Sequence, residues 1–143
     1  MKIAYASRTG NVESIVNQLG FDSISIEQGT ERVDEPYVLF TYTDGWGDVP
    51  EEVETFLDNN DSSFLLGVVV SGDKGYDEAY CLAGDKIAEA TGCDVLYKVE
   101  NEGTEEDIAA IRDKLNQLNW SLILKRLFNL LEKRLNKSLF LII

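Results

Sequence analysis

The 143-residue chain has the composition of an ordinary globular protein, 44% hydrophobic and 27% charged, and is long enough to bury one core unaided. Its charge is not ordinary: 26 acidic against 13 basic residues give −13, which repels nucleic acid as a partner. There is no histidine, and the only cysteines, Cys81 and Cys93, form no Cys-x-x-Cys, so imidazole catalysis, a zinc site and a disulfide framework are excluded.

Chemistry therefore falls to carboxylates, hydroxyls or a cofactor. The charge is also uneven. Residues 117–143 hold Lys125, Arg126, Lys133, Arg134 and Lys137 against Glu132 alone, while residues 1–116 hold 8 basic and 25 acidic side chains, so the body is −17 and the tail +4. Such a body favours a basic partner surface, or the acidity simply keeps a small protein soluble. The start of the chain has no basic-then-apolar leader, which reads as cytoplasmic.

The first element is a short β-prone run, Ile3 to Ala6, that stops at Ser7-Arg8-Thr9-Gly10-Asn11. Helical periodicity follows from Val12 to about Gly20, with Val12, Ile15, Val16 and Leu19 on one face. Phe21 to Glu27 alternates apolar and polar residues as a strand does. Tyr37 to Tyr42 is nearly all apolar and aromatic, as in a strand buried on both faces of a parallel sheet. Pro50 with Glu51 and Glu52 starts a helix that turns Val53, Phe56 and Leu57 inward. Phe64 to Val70 is the strongest buried-strand signal. A helix is expected from about Asp77 to Thr91, ended by Gly92, with Cys81 and Cys93 as small apolar residues in it and at its exit. Asp94 to Lys98 is a fifth strand, and Thr104-Glu105-Glu106-Asp107 opens a helix carrying Ile108, Ile111 and Leu115. Strands alternating with helices call for an α/β three-layer sandwich, a parallel five-stranded sheet with right-handed connections, in the flavodoxin-like order 2-1-3-4-5.

In that order the loops after strands one, three and four open at one carboxyl edge, where ligands bind. The first offers hydroxyls at Ser7 and Thr9, a glycine, and the free N–H groups of a helix start, an anion cradle. It lacks the patterns of nucleotide triphosphatases and dinucleotide folds and suits a monophosphate. The second, Thr41 to Pro50, sets Trp46 between Gly45 and Gly47 beside Tyr42, and an exposed indole there gains a stacking partner from a flat heteroaromatic ligand. The third, Ser71 to Tyr80, holds Gly72, Gly75 and Tyr76. A phosphate loop with two glycine-aromatic loops fits a phosphorylated flat ring system, for which FMN is the economical candidate.

Several stretches resemble the NrdI family, flavodoxin-like proteins that activate class Ib ribonucleotide reductase. They are Ala4 to Val12, Val33 to Leu39, Thr41-Tyr42-Thr43, Val49-Pro50, Val70 to Asp73, Glu78-Ala79-Tyr80, Ala83-Gly84-Asp85 and Gly103-Thr104. The resemblance covers residues 1 to about 116 in order, which makes 1–116 an FMN-binding domain and 117–143 an atypical basic and apolar extension. It implies an FMN-bearing redox accessory protein rather than a stand-alone enzyme. In that family FMN hydroquinone reduces dioxygen, and the superoxide or peroxide formed passes to the small reductase subunit, where a radical is assembled. Some relatives serve subunits that retain no metal. The implied partners are that small subunit, a flavodoxin- or ferredoxin-type reductant and dioxygen.

Carried onto this sequence, Ser7, Arg8, Thr9, Gly10, Asn11 and Val12 would hold the phosphate. Thr41, Tyr42, Thr43, Gly45, Trp46 and Gly47 would line the ring, with Trp46 or Tyr42 stacking on it. Gly72 and Asp73 would approach its pyrimidine edge and Tyr76 would close the other side. No protein group is an evident catalyst or metal ligand; Gly45, Trp46 and Gly47 lie nearest the chemistry, and a glycine peptide that flips near N5 can tune it. Two alternatives stay open. Asp44 and Asp48 put negative charge in the second loop, which disfavours the anionic hydroquinone and suits a one-electron carrier flavodoxin. A flavin-free binding module of the same fold is the other.

The tail departs from the family pattern. Trp120, Leu124, Leu127, Leu131 and Leu135 fall at helical spacing with the cations elsewhere, and the segment ends in Leu-Phe-Leu-Ile-Ile. An extra C-terminal amphipathic helix is expected, too interrupted by charge to span a bilayer. It could pack against another subunit or the reductase, lie on a membrane surface, dock back on the acidic body, or be acquired sequence without a selected role. Packing is favoured over membrane contact because so much apolar surface rarely stays bare.

Overall fold

The computed structural model describes residues 1–142, so Ile143, the last residue of the apolar ending, lies outside the described residues. Five parallel strands form one sheet in the order β2-β1-β3-β4-β5. They are β1 (Lys2–Tyr5), β2 (Ser23–Ser25), β3 (Tyr37–Tyr42), β4 (Leu65–Gly72) and β5 (Asp94–Glu100), connected through helices α1 (Asn11–Asn17), α2 (Glu51–Asn59) and α3 (Leu82–Thr91). Helix α4 (Glu105–Ile142) follows. The chain divides into two compact units, Met1–Arg112 and Asp113–Ile143.

The central strand explains the order. Every residue of β3 from Tyr37 to Thr41 is buried, which requires a strand on either side and cover on both faces. On one face Ala4, Tyr37, Leu39 and Val68 meet Val53 and Phe56 of α2 and Ile87 of α3 in one cluster. The alternate residues Ile3, Val38, Phe40 and Val69 are buried on the other face, and α1 packs on β1 and β3 through Val12, Ile15 and Val16. Tyr37 and Phe56 meet edge to face, centroids 5.8 Å apart.

Among the described residues the buried Tyr37 hydroxyl meets no hydrogen-bond partner, and burial pushes its pKa up to about 12. A buried hydroxyl that satisfies nothing costs stability. Tyr37→Phe is therefore expected to leave stability unchanged or raise it by about 1 kcal/mol. Urea unfolding measures this, and a loss of similar size would contradict it.

The sheet order and the approximate elements match the sequence-based expectation; some bounds do not. Strand β2 is three residues rather than seven, because beyond Ser25 the chain turns and the amides of Glu27, Gln28 and Gly29 donate to the Glu31 carboxylate. Strands β4 and β5 each run two residues further than expected, to Gly72 and Glu100, where they still pair with one another. Helix α3 begins at Leu82, not Asp77. Residues Lys74–Ala79 form 3-10 turns broken at Asp77 (φ 47°), and Cys81 caps α3 in a left-handed conformation (φ 55°). Cys81 is thus at the helix start, buried, and burial pushes its thiol up to about 11; Cys93 is half-buried beyond the helix end.

Candidate functional site

The three loops expected to converge do so. A cleft of about 230 Å³ opens at the carboxyl edge of the sheet. The loop after β1 contributes Ser7, Arg8, Thr9, Asn11 and Val12. The end of β3 and its loop contribute Tyr42, Thr43 and Gly45. From β4 onward come Ser71, Gly72, Asp73, Tyr76 and Ala79, and after β5 comes Asn101.

The first loop leaves backbone donors at the start of α1 without a protein acceptor among the described residues. Gly10 stands at φ +94° immediately before α1, and a Cβ added there would meet nothing within 4 Å among the described residues. Among the described residues no side chain caps the helix at Gly10. The Ser7 hydroxyl accepts from the Glu13 amide at 3.2 Å, leaving its own hydrogen to donate. Among the described residues, the amides of Thr9, Gly10, Asn11 and Val12 meet no protein acceptor. Unpaired N–H groups at a helix start, flanked by two hydroxyls, are what a phosphate requires. A phosphate-bearing ligand such as FMN fits these residues on that observation.

The second loop is a tight turn. Asp44 and Asp48 bridge through two backbone hydrogen bonds of 2.8 and 2.7 Å. Between them Gly47 at φ +104° passes so close to Leu82 that an added Cβ would lie 2.7 Å from its Cδ2. Only glycine fits both demands. Trp46 is held at the tip, 74% exposed, edge to face with Tyr76 of the third loop at 4.9 Å. The pair borders a shallow surface beside the cleft, with Asp77 and Leu82.

Ion pairs and hydrogen bonds tie the loops together. Arg8 Nη2 donates to Asp44 Oδ1 at 2.8 Å, and its guanidinium lies 4.9 Å from the Tyr42 ring centroid. The Tyr42 hydroxyl donates to Glu52 at 2.6 Å; burial, then that carboxylate, pushes the phenol well above its ordinary pKa. Thr43 donates to the Ser71 carbonyl at 3.1 Å and Ser71 to the Asn101 carbonyl at 2.6 Å. Asp48 is paired with Lys86 at 3.4 Å.

Of the residues singled out from sequence, the cleft gathers Ser7, Arg8, Thr9, Asn11, Val12, Tyr42, Thr43, Gly45, Gly72, Asp73 and Tyr76. Gly10 lies within the first loop without facing the cleft wall. Thr41 is fully buried in β3, its hydroxyl donating to the Tyr42 carbonyl. Trp46 and Gly47 lie outside the walls. Ser71, Ala79 and Asn101 join them, which the sequence does not mark as site residues. With the fifth strand expected to end at Lys98, Asn101 reaches the edge because β5 runs on to Glu100.

Strain is concentrated at Asp77, whose φ of 47° with ψ of −111° disfavours any side chain. Asp77→Gly is expected to stabilise the protein by about 1 kcal/mol. A thermal unfolding midpoint at or below that of the parent would refute this.

A parallel sheet in this order, with an anion cradle and aromatic loops at its carboxyl edge, defines a flavodoxin-like protein. Solved structures agree. A short-chain flavodoxin associated with a PDU bacterial microcompartment superposes with a TM-score of 0.63 at 26% identity, covering 84% of this chain and 96% of that one. Oxidised flavodoxin 2 from Bacillus cereus shares the fold with a TM-score of 0.52 at 24% identity, covering 78% and 92%. More specifically, a family model described as "NrdI Flavodoxin like" matches residues 3–113. The NrdI protein of Ruegeria sp. strain TM1040 is 39% identical over 117 residues, covering 77% of this chain and 84% of its own. Those of Bacillus licheniformis and Brucella ovis are 33% and 37% identical, covering 82% and 80% of this chain and 89% and 91% of their own. The chain belongs to the NrdI family.

Proposed function

We propose that this protein binds FMN in the cleft and delivers superoxide or peroxide for radical assembly in the small subunit of ribonucleotide reductase. The observation that carries the reading is the cradle of unpaired amides around Gly10, set at the same sheet edge as two aromatic loops. Reduced FMN, when bound, supplies the electrons that convert dioxygen to that oxidant.

The chain's own residues bind and shape. Ser7, Thr9 and the amides through Val12 hold the phosphate, while Asn11 and Arg8 border it. Tyr42, Thr43, Gly45, Gly72, Asp73 and Tyr76 flank the ring, and Trp46 and Gly47 form the rim. The guanidinium of Arg8 already covers one face of Tyr42, which favours Trp46 or Tyr76 over Tyr42 as the stacking ring. No histidine is present and burial pushes the Cys81 thiol up to about 11, so neither imidazole nor the Cys81 thiolate takes part, and the protein contributes orientation and electrostatics. The protein would act in the cytoplasm, recharged by a flavodoxin- or ferredoxin-type reductant.

The second reading is a one-electron carrier, for which Asp44 and Asp48 speak. Both carboxylates are paired, with Arg8 and Lys86, which weakens the negative field they place on the cleft and favours the oxygen-reducing reading. The test is reconstitution. A class Ib small subunit supplied with manganese(II), reductant and dioxygen should develop its radical signal by electron paramagnetic resonance only when this protein is added. A flavin-loaded protein that gives no signal above the control would overturn the proposal.

A further inference from the structure

Among the described residues, most of the large exposed apolar side chains lie in the second unit. Trp120, Leu124, Leu127, Leu131, Leu135 and Leu139 recur at steps of three and four in α4, so they share one face, and each is between 52% and 64% exposed. The remaining sides carry Lys125, Arg126, Lys133 and Lys137 against Glu132 alone, interspersed with the exposed Leu130 and Phe140. Arg134 stands three residues after Leu131 and seven after Leu127, on the apolar face itself. Beside it Leu127, Leu130 and Leu131 border a shallow concavity together with Lys133 and Lys137.

We infer that this helix lies in the surface of an anionic lipid bilayer, its leucines among the acyl chains and its lysines and arginines at the headgroup phosphates. Charge on the helix decides the occupant: residues 117–143 carry +4 while residues 1–116 carry −17, so attraction to an anionic surface comes from the helix alone. Pairing with the same helix of a second copy would bring Arg134 into an apolar seam that offers it no acidic partner. An acidic protein surface would engage the cations and leave the leucines bare. A bilayer meets both demands at one boundary, because phosphates lie directly above acyl chains and long cationic side chains reach up to them. Crossing is not implied: among the described residues no helix is long and apolar enough to cross a membrane.

The test is co-sedimentation of the full-length protein with vesicles of phosphatidylcholine alone and of equal parts phosphatidylcholine and phosphatidylglycerol. The anionic vesicles are expected to bind at least about tenfold more strongly at low salt, since each cation near such a surface contributes on the order of 1 kcal/mol, and added salt should erode the difference. The double variant Leu127→Glu/Leu131→Glu should lose binding to both. The triple variant Lys133→Glu/Arg134→Glu/Lys137→Glu should lose at least about tenfold on anionic vesicles only. All five side chains are exposed, so unchanged circular dichroism and thermal midpoint should accompany the loss. Equal binding to both vesicle types, or no binding to either, overturns the inference; a concentration-dependent oligomer broken by the leucine variant, without vesicle binding, would assign the face to a second copy.

Discussion

Gly10→Asp is expected to lower FMN affinity by at least about a hundredfold, roughly 3 kcal/mol. The substitution adds a carboxylate to the loop whose amides meet no protein acceptor among the described residues, and a negative charge beside that cradle would repel a phosphate and compete for its donors. The backbone adds a smaller effect, because φ of +94° disfavours any side chain. Gly10→Ala separates the two. It carries the backbone strain without the charge, so it should lose about 1 kcal/mol of folding stability and keep most of the cofactor affinity. Fluorescence titration of the apoprotein with FMN measures both variants, and a Gly10→Asp protein that purifies fully yellow would show that the phosphate lies elsewhere.

Phe56→Ala is expected to destabilise the body by about 3–5 kcal/mol, a large share of the ~5–15 kcal/mol that a domain has. Phe56 is fully buried in α2, joins the cluster on one sheet face and meets Tyr37 edge to face, so its removal leaves a cavity between helix and sheet that neighbours on regular elements cannot close. Leu131→Ala makes the contrast. That side chain is 58% exposed, and its loss should change the body's unfolding free energy by less than about 0.5 kcal/mol. Chemical denaturation of both variants checks the pair; a tolerant Phe56 would mean that the core is less closely packed than these contacts require.

Much of this was legible in the chain because β3 and β4 are apolar runs too continuous for an exposed sheet, and because the glycines at 10, 45 and 47 mark turns that the structure places at positive φ. The start of α3 was not. Tyr80, Ala83 and Ile87 keep helical spacing through the region, yet Asp77 and Cys81 adopt left-handed conformations that no glycine announces. The local pattern is consistent with helix from Asp77, and the close packing of the third loop on the ends of β4 and β5 overrides it: Cys81 Sγ donates to the Val70 carbonyl at 3.4 Å. Asn101 and Ser71 escape the sequence for a related reason. A polar residue at a strand end reads as turn chemistry, and the hydrogen bond from Ser71 to the Asn101 carbonyl, which joins the ends of β4 and β5 at the cleft, leaves no trace in sequence spacing. Trp46 was legible as an exposed indole but not as the partner of Tyr76, since an edge-to-face contact between two loops leaves no trace in sequence spacing.

The most direct measurement is an anaerobic reductive titration of the purified protein, followed by oxygen, with absorbance recorded throughout and superoxide and peroxide assayed. The expected result is one bound FMN per chain, modest accumulation of its one-electron-reduced form, and rapid reoxidation with release of superoxide or peroxide. Strong accumulation of the one-electron form with a very low second potential would contradict the oxygen-reducing role and assign electron carriage instead, and a protein that takes up no flavin when FMN is supplied would contradict the site itself.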